Sequence, residues 1–183
     1  MSGEPPDRVL FEDWAQGDAA AGDALLRRHF ESLFRFFSNK LDSEIEDMLQ
    51  TTMLRCVEHR ERFAGHSSFR TYLFSIARNL LIDRIRQRYG PRGAVDFTEV
   101  SLADLGTSPS QAVLRDERRR AVCFALRRLP LDYQIPIELA YWENLNATEI
   151  GEVLNVSPAT VRTRLRRARQ RLGSHLGALA AEP

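Results

Sequence analysis

Arg162, Arg164, Arg166, Arg167, Arg169 and Arg171 crowd into one short run near the end of the chain, with no acid between Glu152 and Glu182. A guanidinium is a planar fork of donors that fits phosphate oxygens and guanine edges, so this spacing offers binding chemistry for a nucleic acid. A second set lies in SSFRTYLFSIARN at 67–79, where three aromatic rings are interleaved with two arginines. Helical spacing leaves only part of this set able to face a core, and the rest is free to touch something else. Arginine supplies all but one of the 26 basic residues, which GC-rich coding would explain as well as function would.

Charge is segregated along the chain although the formal net charge is only +1. Residues 1–59 hold six basic and twelve acidic residues, and 60–92 hold eight basic and two acidic. The excess over 60–92 and the arginine run near the end are two separate basic patches.

The elements that must position these residues are helical. Asn146 with Glu149 forms a capping-box pattern, Ile150, Val153 and Leu154 give a buried face, and Gly151 permits a close approach. Asn155 suits a left-handed stop, Val156 plugs the turn, and Ser157-Pro158 is an N-cap followed by proline at the first helical position. Val161, Leu165, Ala168 and Leu172 then make one stripe from which every arginine is absent. The pattern predicts a helix-turn-helix with a basic second helix, which fits repressors, activators and sigma factors alike.

Earlier in the chain, Leu26, Phe30, Leu33, Phe34, Phe37 and Leu41 recur at helical spacing over 24–41. Ile45, Leu49, Thr52 and Cys56 form the stripe of a following helix, leaving Asp47, Gln50, Thr51 and Leu54 on its far side. One exposed leucine by itself carries no message. A third helix, capped by Ser67 or Ser68, reaches about Tyr89, with Phe69, Leu73, Ile76, Ala77 and Leu80 as its core face. On that wheel Tyr72 and Phe74 lie to either side, and Thr71, Ser75 and Arg78 point away from the core. Phe74 is left open between packing and binding. GPRGAVDFTEVSLADLGTSPS at 90–110 has no sustained period and reads as a linker, after which helical spacing returns. The expected fold is all-α.

Several function classes are disfavoured. His29, His59, His66 and His175 are scattered and no GxSxG, P-loop or HExxH occurs, so no enzyme, catalytic residue or cofactor is expected. Cys56 and Cys123 lack metal or disulfide spacing, so no metal is expected and a reducing cytoplasm is the simple reading. No leader-like start and no long apolar run occurs, so membrane insertion and export are not expected.

The run EDMLQTTMLRCVEHRERFAGHSSFRTYLFSIARNLLIDRIRQR at 46–88 resembles regions 2.1 to 2.4 of the sigma-70 family, in the short extracytoplasmic function (ECF) group. ELAYWENLNATEIGEVLNVSPATVRTRLRRARQRL at 138–172 resembles region 4. The resemblance implies two small helical domains. A sigma-2-like bundle over 1–90 binds core RNA polymerase and recognises and melts the minus ten element. An acidic flexible linker spans 91–112, and a sigma-4-like helix-turn-helix domain over 113–183 reads the minus thirty-five element.

Carried over by motif, Glu46, Asp47, Gln50 and Leu54 would dock on the clamp helices of the largest polymerase subunit. Phe63, Ser67, Ser68, Arg70, Thr71, Tyr72, Phe74, Ser75, Arg78 and Asn79 would meet the minus ten DNA. Ala159, Arg162, Thr163, Arg166 and Arg167 would face the groove at minus thirty-five, with Ser157, Thr160 and Arg164 nearer the phosphates. Gly151 stands where the family often has Ala, a change expected to leave the helix contact intact. Implied partners are the core polymerase, including its beta-subunit flap, promoter DNA and an anti-sigma factor. The implied function is promoter-specific initiation in response to a signal, in the cytoplasm and on the nucleoid when active. A free-standing helix-turn-helix repressor or activator is the rival, and it predicts tight operator binding without polymerase.

Overall fold

The computed structural model describes residues 4–62, 67–90, 95–106 and 117–181. Its helices are α1 (Asp7–Ala15), α2 (Ala19–Ser38), α3 (Ile45–Glu58), α4 (Phe69–Tyr89), α5 (Glu117–Arg127), α6 (Leu131–Trp142), α7 (Ala147–Leu154) and α8 (Pro158–Ala181). The described residues contain no strand beyond an isolated bridge between Ser101 and Pro130, so the fold is all-α as the periodicity predicts. No described helix is long and apolar enough to cross a membrane.

Helix α1 was not legible as an element and changes the reading of α2. Asp18 caps α2 through Ala20 and Ala21, and the buried set is Leu25, His29, Leu33, Phe36 and Phe37. The expected stripe is therefore corrected by a small rotation, with Leu26 and Phe34 half-buried and Phe30 45% exposed. The cause is α1, which packs along α2 and adds a second contact direction. Its Trp14 ring lies where a Cβ on Gly22 would stand, 2.5 Å from that position, so only glycine fits there. Its Asp7 reaches His29 Nε2 at 2.6 Å and Arg28 at 2.7 Å.

Helix α3 buries Ile45, Met48, Leu49, Thr52 and Cys56, matching the predicted stripe. Burial pushes the Cys56 thiol up to about 12. Helix α4 starts on the Ser68 cap, whose hydroxyl accepts from the Thr71 amide at 3.1 Å. It is wedged between α3 on one flank and α7 on the other, and is buried on both.

The C-terminal half follows its local grammar closely. Both arms of the capping box form, Asn146 Oδ1 accepting from Glu149 N at 3.1 Å and Glu149 accepting from Asn146 N at 2.8 Å. Asn155 ends α7 with φ of 55°, and Ser157 caps α8 through Thr160 N at 3.1 Å. Gly151 has a tighter role than expected. A Cβ there would stand 2.7 Å from the Val156 carbonyl oxygen, so an alanine would force the turn to shift.

Part of the expected linker is fastened down. Leu102 is fully buried, Ala103 N donates to Arg127 O at 3.1 Å, and Asp132 N donates to Phe97 O at 3.0 Å. Asp104 holds the Ser101 hydroxyl at 2.6 Å. Residues 97–104 thus lie on α5 and α6, contacts that the aperiodic sequence did not announce.

Candidate nucleic-acid interface

Helix α8 presents its predicted face to solvent. Val161, Leu165 and Ala168 are buried, and Ala159, Thr160, Arg162, Thr163, Arg166 and Arg167 are all exposed. Ser157 is exposed and pairs with the Thr160 hydroxyl at 2.9 Å. Arg164 differs: it is half-buried and ion-paired with Asp132 of α6, so it braces α8 against its own domain. Beside the exposed face, Thr98, Glu99, Ala159, Thr163 and Arg167 line a cleft of about 700 Å³.

On α3, Glu46, Asp47, Gln50 and Leu54 are exposed, Leu54 to 57%. Val57, exposed to 38%, extends this face by three residues from Leu54. The same spacing that picked out Leu54 would have found it.

The α4 set divides. Asn79 is exposed, and Ser67 and Ser75 are half-buried. Ser68 is exposed but serves as the helix cap. Thr71 is 2% exposed and Phe74 is fully buried against Phe36, with ring centroids 5.5 Å apart. Thr71, expected to point away from the core, is thus buried, and Phe74, left open between packing and binding, packs against α2. Tyr72 is half-buried, stacked obliquely on Phe69 at 6.4 Å, and its hydroxyl donates to the His59 carbonyl at 3.0 Å. Arg70 donates to the Glu143 carbonyl of the C-terminal half at 2.8 Å. Burial pulls the Arg78 guanidinium below its ordinary value, opposed by the nearby Asp132 carboxylate. Phe63 lies outside the described residues.

A cluster that sequence reasoning missed joins the two halves. Lys40, the chain's only lysine, is fully buried and ion-paired with Glu138 of α6. Glu138 also accepts from Asn39 Nδ2 at 2.7 Å and Gln134 Nε2 at 2.9 Å. Arg127 of α5 donates to the Asn39 carbonyl, and Arg35 reaches Glu143 at 2.5 Å. Burial holds Lys40 below its ordinary range, opposed by Glu138, and pushes Arg127 down to about 10. Gln134 and Glu138, four residues apart amid the apolar residues of α6, were the readable signal.

In the C-terminal half, Val122, Leu126, Ile137, Tyr141, Leu172 and Leu176 line an apolar groove of about 400 Å³. Tyr141 and Val122 remain 61% and 37% exposed on its rim.

Two family models match the chain. Sigma-70 region 2 matches over residues 24–89 and Sigma-70, region 4 over residues 119–172. The chain is 34% identical over 143 residues to the ECF RNA polymerase sigma factor SigW of Bacillus subtilis (strain 168), covering 73% of this chain and 75% of that protein. It is 28% identical over 179 residues to the ECF RNA polymerase sigma-E factor of Escherichia coli (strain K12), covering 93% and 94%. Among solved structures it resembles CnrH in complex with the cytosolic domain of CnrY, with a TM-score of 0.70, 24% identity and coverage of 94% and 97%. It also resembles the sigma factor RpoE in complex with the anti-sigma factor NepR from Bartonella quintana, with a TM-score of 0.65, 22% identity and coverage of 85% and 96%. These two likenesses concern the fold.

Proposed function

Because this chain belongs to the ECF group of the sigma-70 family, we propose a division of labour among its surfaces in promoter-specific initiation. It is an alternative sigma factor, a non-enzymatic initiation factor that directs transcription with core RNA polymerase. The exposed α8 face reads the minus thirty-five element, with Arg162, Arg166 and Arg167 as the base-edge and phosphate contacts. The observation that carries this reading is the separation on α8 of an apolar packing stripe from an exposed arginine face.

Helix α4 and its flanking residues engage the minus ten strand through Arg70, Tyr72, Arg78 and Asn79. The α3 face of Glu46, Asp47, Gln50 and Leu54, extended by Val57, docks on the polymerase clamp helices. The apolar groove rimmed by Tyr141 accepts an apolar segment of the polymerase flap. A sigma-2-like unit over 1–90 and a sigma-4-like unit over 113–183 carry these roles. The factor acts in the cytoplasm, on the nucleoid when engaged, under an anti-sigma partner and an environmental signal. That partner is supported by the anti-sigma factor held by the similarly folded RpoE.

Run-off transcription with core polymerase on a promoter library tests the reading. Initiation from a discrete promoter subset is expected, with no tight duplex binding by the factor alone. Tight binding to an operator without polymerase, and no initiation anywhere, would instead support a free-standing repressor.

A further inference from the structure

The cleft beside α8 has two walls, and only one of them belongs to the helix-turn-helix. One wall holds Thr160, Arg167 and Arg171 of α8, and the other holds Thr98 and Glu99 of the turn that follows Asp96. The α8 wall reaches from Ala159 to Arg171, about 18 Å at the helical rise of about 1.5 Å per residue. Thr160, Arg167 and Arg171 recur at helical spacing, so they stand on one flank of α8, beside the face of Arg162, Thr163 and Arg166.

The turn is held in place from several sides. Asp96 Oδ1 accepts from Thr98 N at 2.8 Å and from the Thr98 hydroxyl at 2.7 Å, and the Asp96 carbonyl accepts from Glu99 N at 3.1 Å. Asp132 N donates to the Phe97 carbonyl at 3.0 Å while the Asp132 carboxylate pairs with Arg164, so the turn, α6 and α8 form one block. These bonds engage the donors of Thr98 and Glu99, and the group that the turn presents to the cleft is the Glu99 carboxylate. Glu99 also lines an adjoining cleft of about 320 Å³ with Arg128, Arg171 and His175, and it is the only acid among the described residues lining either one. Arg171 lies over the Tyr133 ring, 4.8 Å from its centroid, which steadies the guanidinium at the cleft wall.

We infer that this cleft seats the sugar-phosphate backbone of one strand of the minus thirty-five duplex, with Arg171 as a further phosphate contact and Glu99 as an acid that limits its grip. A helix lying in the major groove turns its flanks toward the strands that border the groove, and contacts there fix position without carrying sequence. Glu99 faces the same phosphates from the opposite wall, so it weakens that sequence-independent attraction and leaves the base contacts of Arg162 and Arg166 as they are. The segment ahead of α5 thereby takes part in duplex binding. The inference rests on the reading of α8 as the minus thirty-five helix.

The test is a salt titration of the full chain with core polymerase on fluorescent promoter duplexes, matched or mismatched at minus thirty-five. Every residue replaced is exposed, so the fold is left intact. Losing one phosphate contact lowers the slope of log affinity against log salt by about 0.9, so from about 50 to about 200 mM salt Arg171→Ala should lose about 3.5-fold less affinity than the unmutated chain does. Arg171→Lys keeps the charge and should keep the slope. Glu99→Gln should tighten matched and mismatched duplexes alike, by about 1.5- to fivefold at the lower salt, the range for one exposed charge pair. Arg8→Ala and Glu12→Gln remove the same charges from an exposed pair on α1 and should change neither slope nor affinity.

An Arg171→Ala slope equal to that of the unmutated chain, or Glu99→Gln binding no tighter, would overturn the backbone seat. So would α1 variants that match the cleft variants, since net charge alone would then account for the change. A slope lost in Arg171→Lys as well would assign Arg171 to packing on Tyr133 and count against the phosphate contact. Equal binding of matched and mismatched duplexes by the unmutated factor would defeat the assignment of α8 and the seat with it, whereas intact discrimination with unchanged slopes defeats the seat alone.

Discussion

Helices α4 and α8 both carry arginines on a scaffold of helical spacing, yet they are packed in opposite ways. Helix α8 has one apolar stripe and one wet face, so a wheel drawn from sequence separates its buried stripe from its exposed face correctly. Helix α4 is flanked by α3 and by α7, and Thr71 and Phe74 disappear into contacts that no single-face wheel contains. The lesson is that amphipathicity reports the number of faces a helix buries only when that number is one.

The contrast breaks most sharply at Phe74. Phe74→Ala should remove about 3 to 5 kcal/mol of stability, as truncation of a fully buried ring does, read by urea unfolding. A loss below about 1 kcal/mol, the range of exposed substitutions, would return the ring to the surface. Arg166→Ala on the exposed face of α8 should leave unfolding unchanged and reduce minus thirty-five discrimination by about 1 to 3 kcal/mol, measured by binding of the factor with core polymerase to matched and mismatched duplexes.

Tyr72 lies between these extremes. Tyr72→Phe removes the hydroxyl bonded to His59 and keeps the ring, so it should cost about 1 kcal/mol in unfolding. If it also leaves promoter opening intact while Tyr72→Ala abolishes it, the ring and not the hydroxyl meets DNA. Tyr72→Ala should also lower stability, since the ring packs on Phe69.

The smallest effect concerns His29, whose ring packs 5.5 Å from Phe69 at the start of α4. Burial lowers the His29 pKa, with the Asp7 carboxylate opposing the shift. The unfolded chain therefore takes up a proton near the ordinary value of 6.5 that the folded chain refuses. This stability is complete above 6.5 and declines as pH falls toward the lower folded value. Thermal melts at pH 7.5 and near pH 5.5 should show a fall that is smaller in His29→Gln, with an equal fall in both assigning the acid sensitivity elsewhere.

The cluster joining the two halves shows a different kind of illegibility. Lys40 stood out only as a count, and its partner Glu138 lies 98 residues away. No local pattern pairs residues at that separation. Gln134 and Glu138 did break the apolar run of α6, but a polar pair in a helix reads equally well as a solvated edge. Helix α1 was missed for a related reason, since its short apolar set of Leu10 and Trp14 acquires meaning only against Gly22 and His29 of α2.

By itself the sequence determined the all-α class, the helix-turn-helix with its capping box and left-handed stop, the exposed arginine face of α8 and the exposed edge of α3. Those are local properties, fixed by backbone capping and by spacing along one helix. Only the tertiary structure decided that α4 is covered on two flanks, that Thr71 and Phe74 pack, that Arg164 braces Asp132, and that Lys40 is buried against Glu138. These depend on which distant surfaces meet, and burial is a property of the meeting and not of either helix alone.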